Sequence, residues 1–211
     1  MEENEIRPAQ VNARAADAQE HAHARADTLE GSWGVLSSLP GHPMMWILIV
    51  SEILVFGGAF IAFASVRNSN PELFRSAQDH LDRFAGAINT MVLLTSGLLA
   101  ALAVNAMAAN HRQAARRWLA GAGVLGVVFL VVKAVEYKTK LAAGLTPGTN
   151  AFFTLYYLTT GFHALHVVAG LVILGIVAAK LSLETVEIGT SFWHMVDLVW
   201  VLLFPIVYLM R

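Results

Sequence analysis

Residues 152–179 read FFTLYYLTTGFHALHVVAGLVILGIVAA, with no Asp, Glu, Lys or Arg. A hydrocarbon core about 30 Å thick takes roughly 20 helical residues at ~1.5 Å each, so this stretch is long enough to cross a bilayer. It nevertheless holds two histidines, His163 and His166, at a spacing of i and i+3 that places them on one helical face. Gly161, Gly170 and Gly175 keep parts of its surface thin. An apolar span with a polar stripe and small residues packs against other helices.

The rest of the chain has the same character. Of its 211 residues, 56% are hydrophobic and 14% charged, an imbalance ordinary for a membrane bundle and severe for a soluble domain. The formal net charge of −1 provides no field to draw in nucleic acid. With no cysteine, the chain has no disulfides, thiolate metal sites or thiol catalysis.

Five spans are expected, at about 44–66, 84–109, 118–141, 152–179 and 190–210, giving an all-α polytopic bundle. Residues 1–39 read as a polar, Ala-rich cytoplasmic tail with room for a short surface helix and no signal-peptide core, so the first span is expected to be an uncleaved anchor. His21 and His23 in that tail read as solvated side chains. The breaker cluster LPGHP at 39–43 delivers the chain to the membrane, with Trp46 as an interfacial anchor. Residues 67–83 read as a polar connection, 110–117 as a short basic turn, 144–150 and 180–189 as short loops. Asn89, Thr90, Thr95, Ser96 and Asn105 give span 2 a side suited to interhelical hydrogen bonds. The cluster Arg112, Arg116 and Arg117 favours an N-terminus in the cytoplasm, and five spans put the C-terminus on the opposite side of the membrane.

Ionisable groups at membrane depth are costly unless paired or hydrated, so each is a functional candidate. Glu52 stands alone in span 1, either as a proton-responsive group or as a carboxyl that ties helices together. Lys133 and Glu136 are spaced for a local ion pair, with Tyr137 beside them as a further hydrogen-bond donor. His163 and His166 are expected to bond across helices, to Glu52, Glu136 or Asp197. A haem or metal reading would need a matching ligand on another span, with His194 as the candidate, and the Glu-x-x-His bundle motif is absent. His194 and Asp197 are spaced to share a hydrogen bond at the start of span 5, but no Ser or Cys nucleophile accompanies them. No Gly-rich phosphate loop or HExxH motif occurs.

Five strings, in order and each on its own span, resemble subunit III of the haem–copper oxidases: SEILVF at 51–56, NTMVLLTSG at 89–97, EY at 136–137, FF at 152–153 with TGFHALHV at 160–167, and WHMVDLVW at 193–200. The resemblance runs from about residue 40 to 211 and fits the five-helix bacterial form, as in quinol oxidases. LPGHPMMW at 39–46, Lys133 and AGLTPGTN at 143–150 look closest to the subunit III-like accessory protein of nitric oxide reductase. The resemblance implies a non-catalytic subunit with no haem or metal of its own, packed on a haem-bearing catalytic membrane subunit. It also implies a bound phospholipid and support of assembly, stability and proton uptake, the last through Glu52. Glu136, His163, His166, His194 and Asp197 match family positions that join helices or line the lipid cleft. The alternatives are subunit III of a cytochrome c or quinol oxidase and, in another class, an independent proton or ion transporter built on Glu52, Lys133 and Glu136. No internal repeat of the transporter kind is visible.

Overall fold

The computed structural model describes residues 43–210, with side chains from Met45 onward. The tail at 1–39, with His21 and His23, and the terminal Arg211 lie outside the described residues. The chain divides into two units, Met1–Ile47 and Leu48–Arg211. The described part of the first is the opening of a helix; the second holds the bundle.

Six α-helices are described: α1 (Pro43–Ser69), α2 (Pro71–Gln78), α3 (Arg83–Ala108), α4 (Arg112–Ala142), α5 (Ala151–Lys180) and α6 (Leu183–Phe204). A π-helical turn, Pro205–Leu209, extends α6. All except α2 are long and apolar enough to cross a membrane, which makes the five expected spans. Short connections force consecutive spans to run antiparallel. The helices α3, α4, α5 and α6 close a ring in which each packs on the next and α6 returns to α3.

Unlike a soluble bundle, this one is apolar on its outer surface as well as in most of its core. Leu54, Ile61, Leu98 and Val124 face outward, while Asn89, Ser96, Thr160 and Lys133 are buried. Outward aliphatic side chains suit hydrocarbon, and inward polar groups find partners on neighbouring helices. The most enclosed helix is α6, with 50% of its apolar window buried against 11% for α1. Trp193 on α6 is a keystone. Its ring lies against Gly126 of α4 and Gly170 of α5, where a Cβ would come within 2.6 and 2.7 Å of it. Its Nε1 donates to Ser96 Oγ at 3.0 Å, and that hydroxyl donates to the Ala122 carbonyl at 2.7 Å.

From Leu48 onward, α1 is joined to α5 by rings. Phe56 lies 5.4 Å from Phe162, and Phe63 lies 6.0 Å from Phe152, centroid to centroid.

Several expected boundaries shift. The connection at 67–83 contains α2, whose amphipathic face buries Phe74, Ala77 and Gln78. Most of the basic turn at 110–117 is the first turns of α4, because Arg112, Arg116 and Arg117 project from a helix end. Arg116 Nε donates at 3.3 Å to the Ala178 carbonyl near the end of α5, a favourable place for a cation. The loop at 180–189 shrinks to Leu181 and Ser182. Ser182 forms a capping box with Thr185 and starts α6 seven residues before position 190. His194 and Asp197 consequently sit in the middle of the last span.

Candidate functional site

The densest polar cluster lies between α4, α5 and the turn that ends α6. Lys133, Glu136 and Lys140 recur on one face of α4. Their side chains are 3%, 11% and 6% exposed, so all three charges are withdrawn from solvent and lipid. Lys133 Nζ donates to Glu136 Oε2 at 2.8 Å, to Tyr208 Oη at 2.9 Å and to Tyr156 Oη at 3.2 Å. Lys140 Nζ lies 3.0 Å from Glu136 Oε1. Tyr156 and Tyr208 each donate to Glu136 Oε1 at 2.8 Å. The carboxylate is therefore saturated by two ammoniums and two hydroxyls from three elements.

The expected Lys133–Glu136 pair is present, but it is the centre of an interhelical knot, beyond the local pair that spacing alone suggests. Lys140, Tyr156 and Tyr208 were not legible as its members. The signal that could have found Lys140 is its i+4 spacing from Glu136. Tyr137 turns to Thr160 of α5 and presents its ring 5.1 Å from Lys133 Nζ.

The histidines divide. His166 Nδ1 lies 2.9 Å from the Phe162 carbonyl, and its Nε2 lies 3.1 Å from Glu52 Oε2 without the alignment of a hydrogen bond. This contact joins α1 to α5 at a place where each side chain is 17% exposed. His163 makes no bond across helices, contrary to expectation. It is fully buried, and both ring nitrogens lack a hydrogen-bond partner among the described residues. It stacks on Trp200 at 5.1 Å and meets the edge of Phe129 at 5.7 Å, so aromatic packing holds it. The helical period separates it from Glu52: His166 takes the face toward α1, and His163 turns to the ring interior.

Asp197 is buried against α3, with Oδ2 4.0 Å from His194 Nδ1, too far for the expected hydrogen bond. Among the described residues, no group of three or more His, Asp and Glu side chains is placed to hold a metal ion.

The polar side of span 2 partly matches expectation. Asn89 and Ser96 donate to carbonyls of α4, and Trp200 Nε1 donates to Thr90 at 3.0 Å. Thr95 bonds only within its own helix, and Asn105 is exposed. Gly161 faces Tyr137 of α4, and the close approach of α5 and α6 falls at Gly170 and Gly189.

A groove of about 540 Å³ opens beside the knot. Val131, Val132 and Val135 line it, Glu136 and Lys140 stand at its base, and His80 and Asp82 lie at its edge.

The family model described as cytochrome c oxidase subunit III matches residues 40–211. The chain is 32% identical over 206 residues to cytochrome c oxidase subunit 3 of Thermostichus vulcanus, covering 92% of this chain and 94% of that one. It is 30% identical over 184 residues to the Synechocystis protein of the same name, covering 81% and 78%. It is also 33% identical over 180 residues to a heme-copper oxidase subunit I+III of Aeropyrum pernix, covering 78% of this chain and 22% of that longer protein.

Proposed function

Because the chain belongs to the cytochrome c oxidase subunit III family, we propose that it is the non-catalytic third subunit of an oxygen-reducing haem–copper complex in a bacterial cytoplasmic membrane. One observation carries the reading: the densest cluster of buried charges, Lys133, Glu136 and Lys140, is bonded to itself. Glu136 is saturated by Lys133, Lys140, Tyr156 and Tyr208, an arrangement that ties helices together. The three groups named for transport fall into two separate contacts, Glu52 with His166 and Lys133 with Glu136.

The relatives reported above carry oxidase names, which favours an oxygen reductase over the nitric oxide reductase branch that Lys133 and residues 143–150 suggested. The Aeropyrum protein, named as subunits I and III in one chain, supports a haem-bearing subunit I as the partner here. Haem and metal belong to that partner. The N-terminus lies in the cytoplasm, on the strength of the arginines that open α4. A phospholipid fits the valine-walled groove, with its phosphate near Lys140. Glu52, paired to His166 at the α1–α5 contact, is the proton-responsive candidate.

The test is turnover of the purified complex. Dioxygen consumption that declines faster during turnover when the chain is deleted is the expected result. A companion that consumes nitric oxide and no dioxygen would return the chain to the other branch.

A further inference from the structure

The middle of the last span holds an acid that no described residue answers with a hydrogen bond. Asp197 lies 14 residues into α6, about 20 Å from its start at ~1.5 Å per residue. Its side chain is 8% exposed, and neither carboxylate oxygen has a hydrogen-bond partner among the described residues. A charge or acid at that depth costs several kcal/mol unless it is matched. The helices are shaped to keep it nonetheless: a Cβ on Gly97 of α3 would collide with Asp197 Oδ2.

Beside it, His194 is 46% exposed, with Nδ1 4.0 Å from that oxygen. His194 and Asp197 both line a groove of about 340 Å³. Leu94, Leu98, Leu198 and Val201 form the groove walls, and Gly97 and Ala101 share its floor on the α3 side. A small swing of His194 brings Nδ1–H onto the carboxylate and leaves Nε2 as an acceptor toward the groove. His163 differs in this respect, since its unpartnered nitrogens are sealed among rings.

We propose that the α3–α6 groove docks a transmembrane helix of a companion subunit, one that presents a hydrogen-bond donor at mid-span to the Asp197–His194 pair; this rests on the subunit reading above. Complementarity selects the occupant. A lipid headgroup stays near the bilayer surface and does not reach mid-span, and acyl chains have no donor. A second copy docking through the same groove would set acid against acid across a two-fold axis. A helix with a Ser, Thr, Tyr, Lys or Arg among small and aliphatic residues satisfies the pair.

The experiment uses the full chain in its native membrane. A photo-crosslinking p-benzoylphenylalanine is incorporated at Leu98, in the groove, and separately at Val124, on the outer face of α4. Leu98 should crosslink to a transmembrane peptide of the haem-bearing companion, and Val124 should meet lipid. Asp197→Leu and His194→Leu should each lower the copurified companion at least tenfold. If Asp197→Leu fails to fold, His194→Leu and the Leu98 crosslink still decide. A companion that copurifies at wild-type yield with both variants, or a Leu98 crosslink only to lipid or to a second copy, overturns the groove and leaves the subunit reading standing. Failure of the unaltered chain to copurify with any haem protein overturns both.

Discussion

Replacing Glu136 by leucine removes the carboxylate shared by two buried lysines. In the folded chain Lys133 Nζ would keep two tyrosine hydroxyls as neighbours and no anion. Breaking a buried ion pair by removing one partner costs about 3–5 kcal/mol. Tyr156 and Tyr208 also lose their acceptor, at about 1 kcal/mol each, offset in part by their own contact at 3.5 Å. Lys140, in the last turn of α4, can extend toward the membrane surface and escape. The expected loss is therefore about 5 kcal/mol, on the order of several thousandfold in the folding equilibrium. Unfolding in mixed micelles by added SDS, followed by tryptophan fluorescence, reads it directly, since Trp200 lies 5.3 Å from Lys133 Nζ. Adding Lys133→Met to Glu136→Leu removes the orphaned ammonium, so the double variant should recover to within about 2 kcal/mol of the unaltered chain. A loss below about 1 kcal/mol for Glu136→Leu, or a Lys133→Met effect that adds to it, would refute the shared-carboxylate reasoning.

Other substitutions separate packing from polarity. Gly170→Ala sets a methyl 2.7 Å from the Trp193 ring and should cost about 1–3 kcal/mol, whereas Gly161→Ala, with its nearest neighbour at 3.9 Å, should be almost neutral; SDS unfolding of the pair checks this. Gln78 Nε2 donates at 2.9 Å to the Val207 carbonyl in the π-helical turn, so Gln78→Leu should cost about 1–3 kcal/mol and raise amide exchange across α2. His163→Phe removes two unpartnered nitrogens from an aromatic enclosure and should leave the melting temperature unchanged or higher; a fall of several degrees would mean that the imidazole has a polar partner.

The spans were legible because charge-free runs of that length have few other uses. Their ends were less so. Arg112, Arg116 and Arg117 read as a turn because a basic cluster looks the same on a helix end as in a loop. Ser182 and Thr185 cap α6, but the polar run through Glu187 hid its first turns. The candidate residues were legible as a set, their partners only in part. Spacing along one helix relates Lys133 to Glu136, and it contains nothing about Tyr208, which reaches the pair from another element. The same limit misplaced His163: a three-residue step turns a side chain far enough to exchange a carboxylate neighbour for a tryptophan.

On the subunit reading, the buried charges tie the helices of a scaffold beside a redox neighbour and perform no redox chemistry themselves. Visible absorption, recorded on the affinity-purified complex and again on the chain after separation from its companion, tests it most directly. A Soret band that travels wholly with the companion, leaving the separated chain with no visible absorption, is expected. A stoichiometric haem or metal band on the separated chain, lost in His163→Ala, would contradict it.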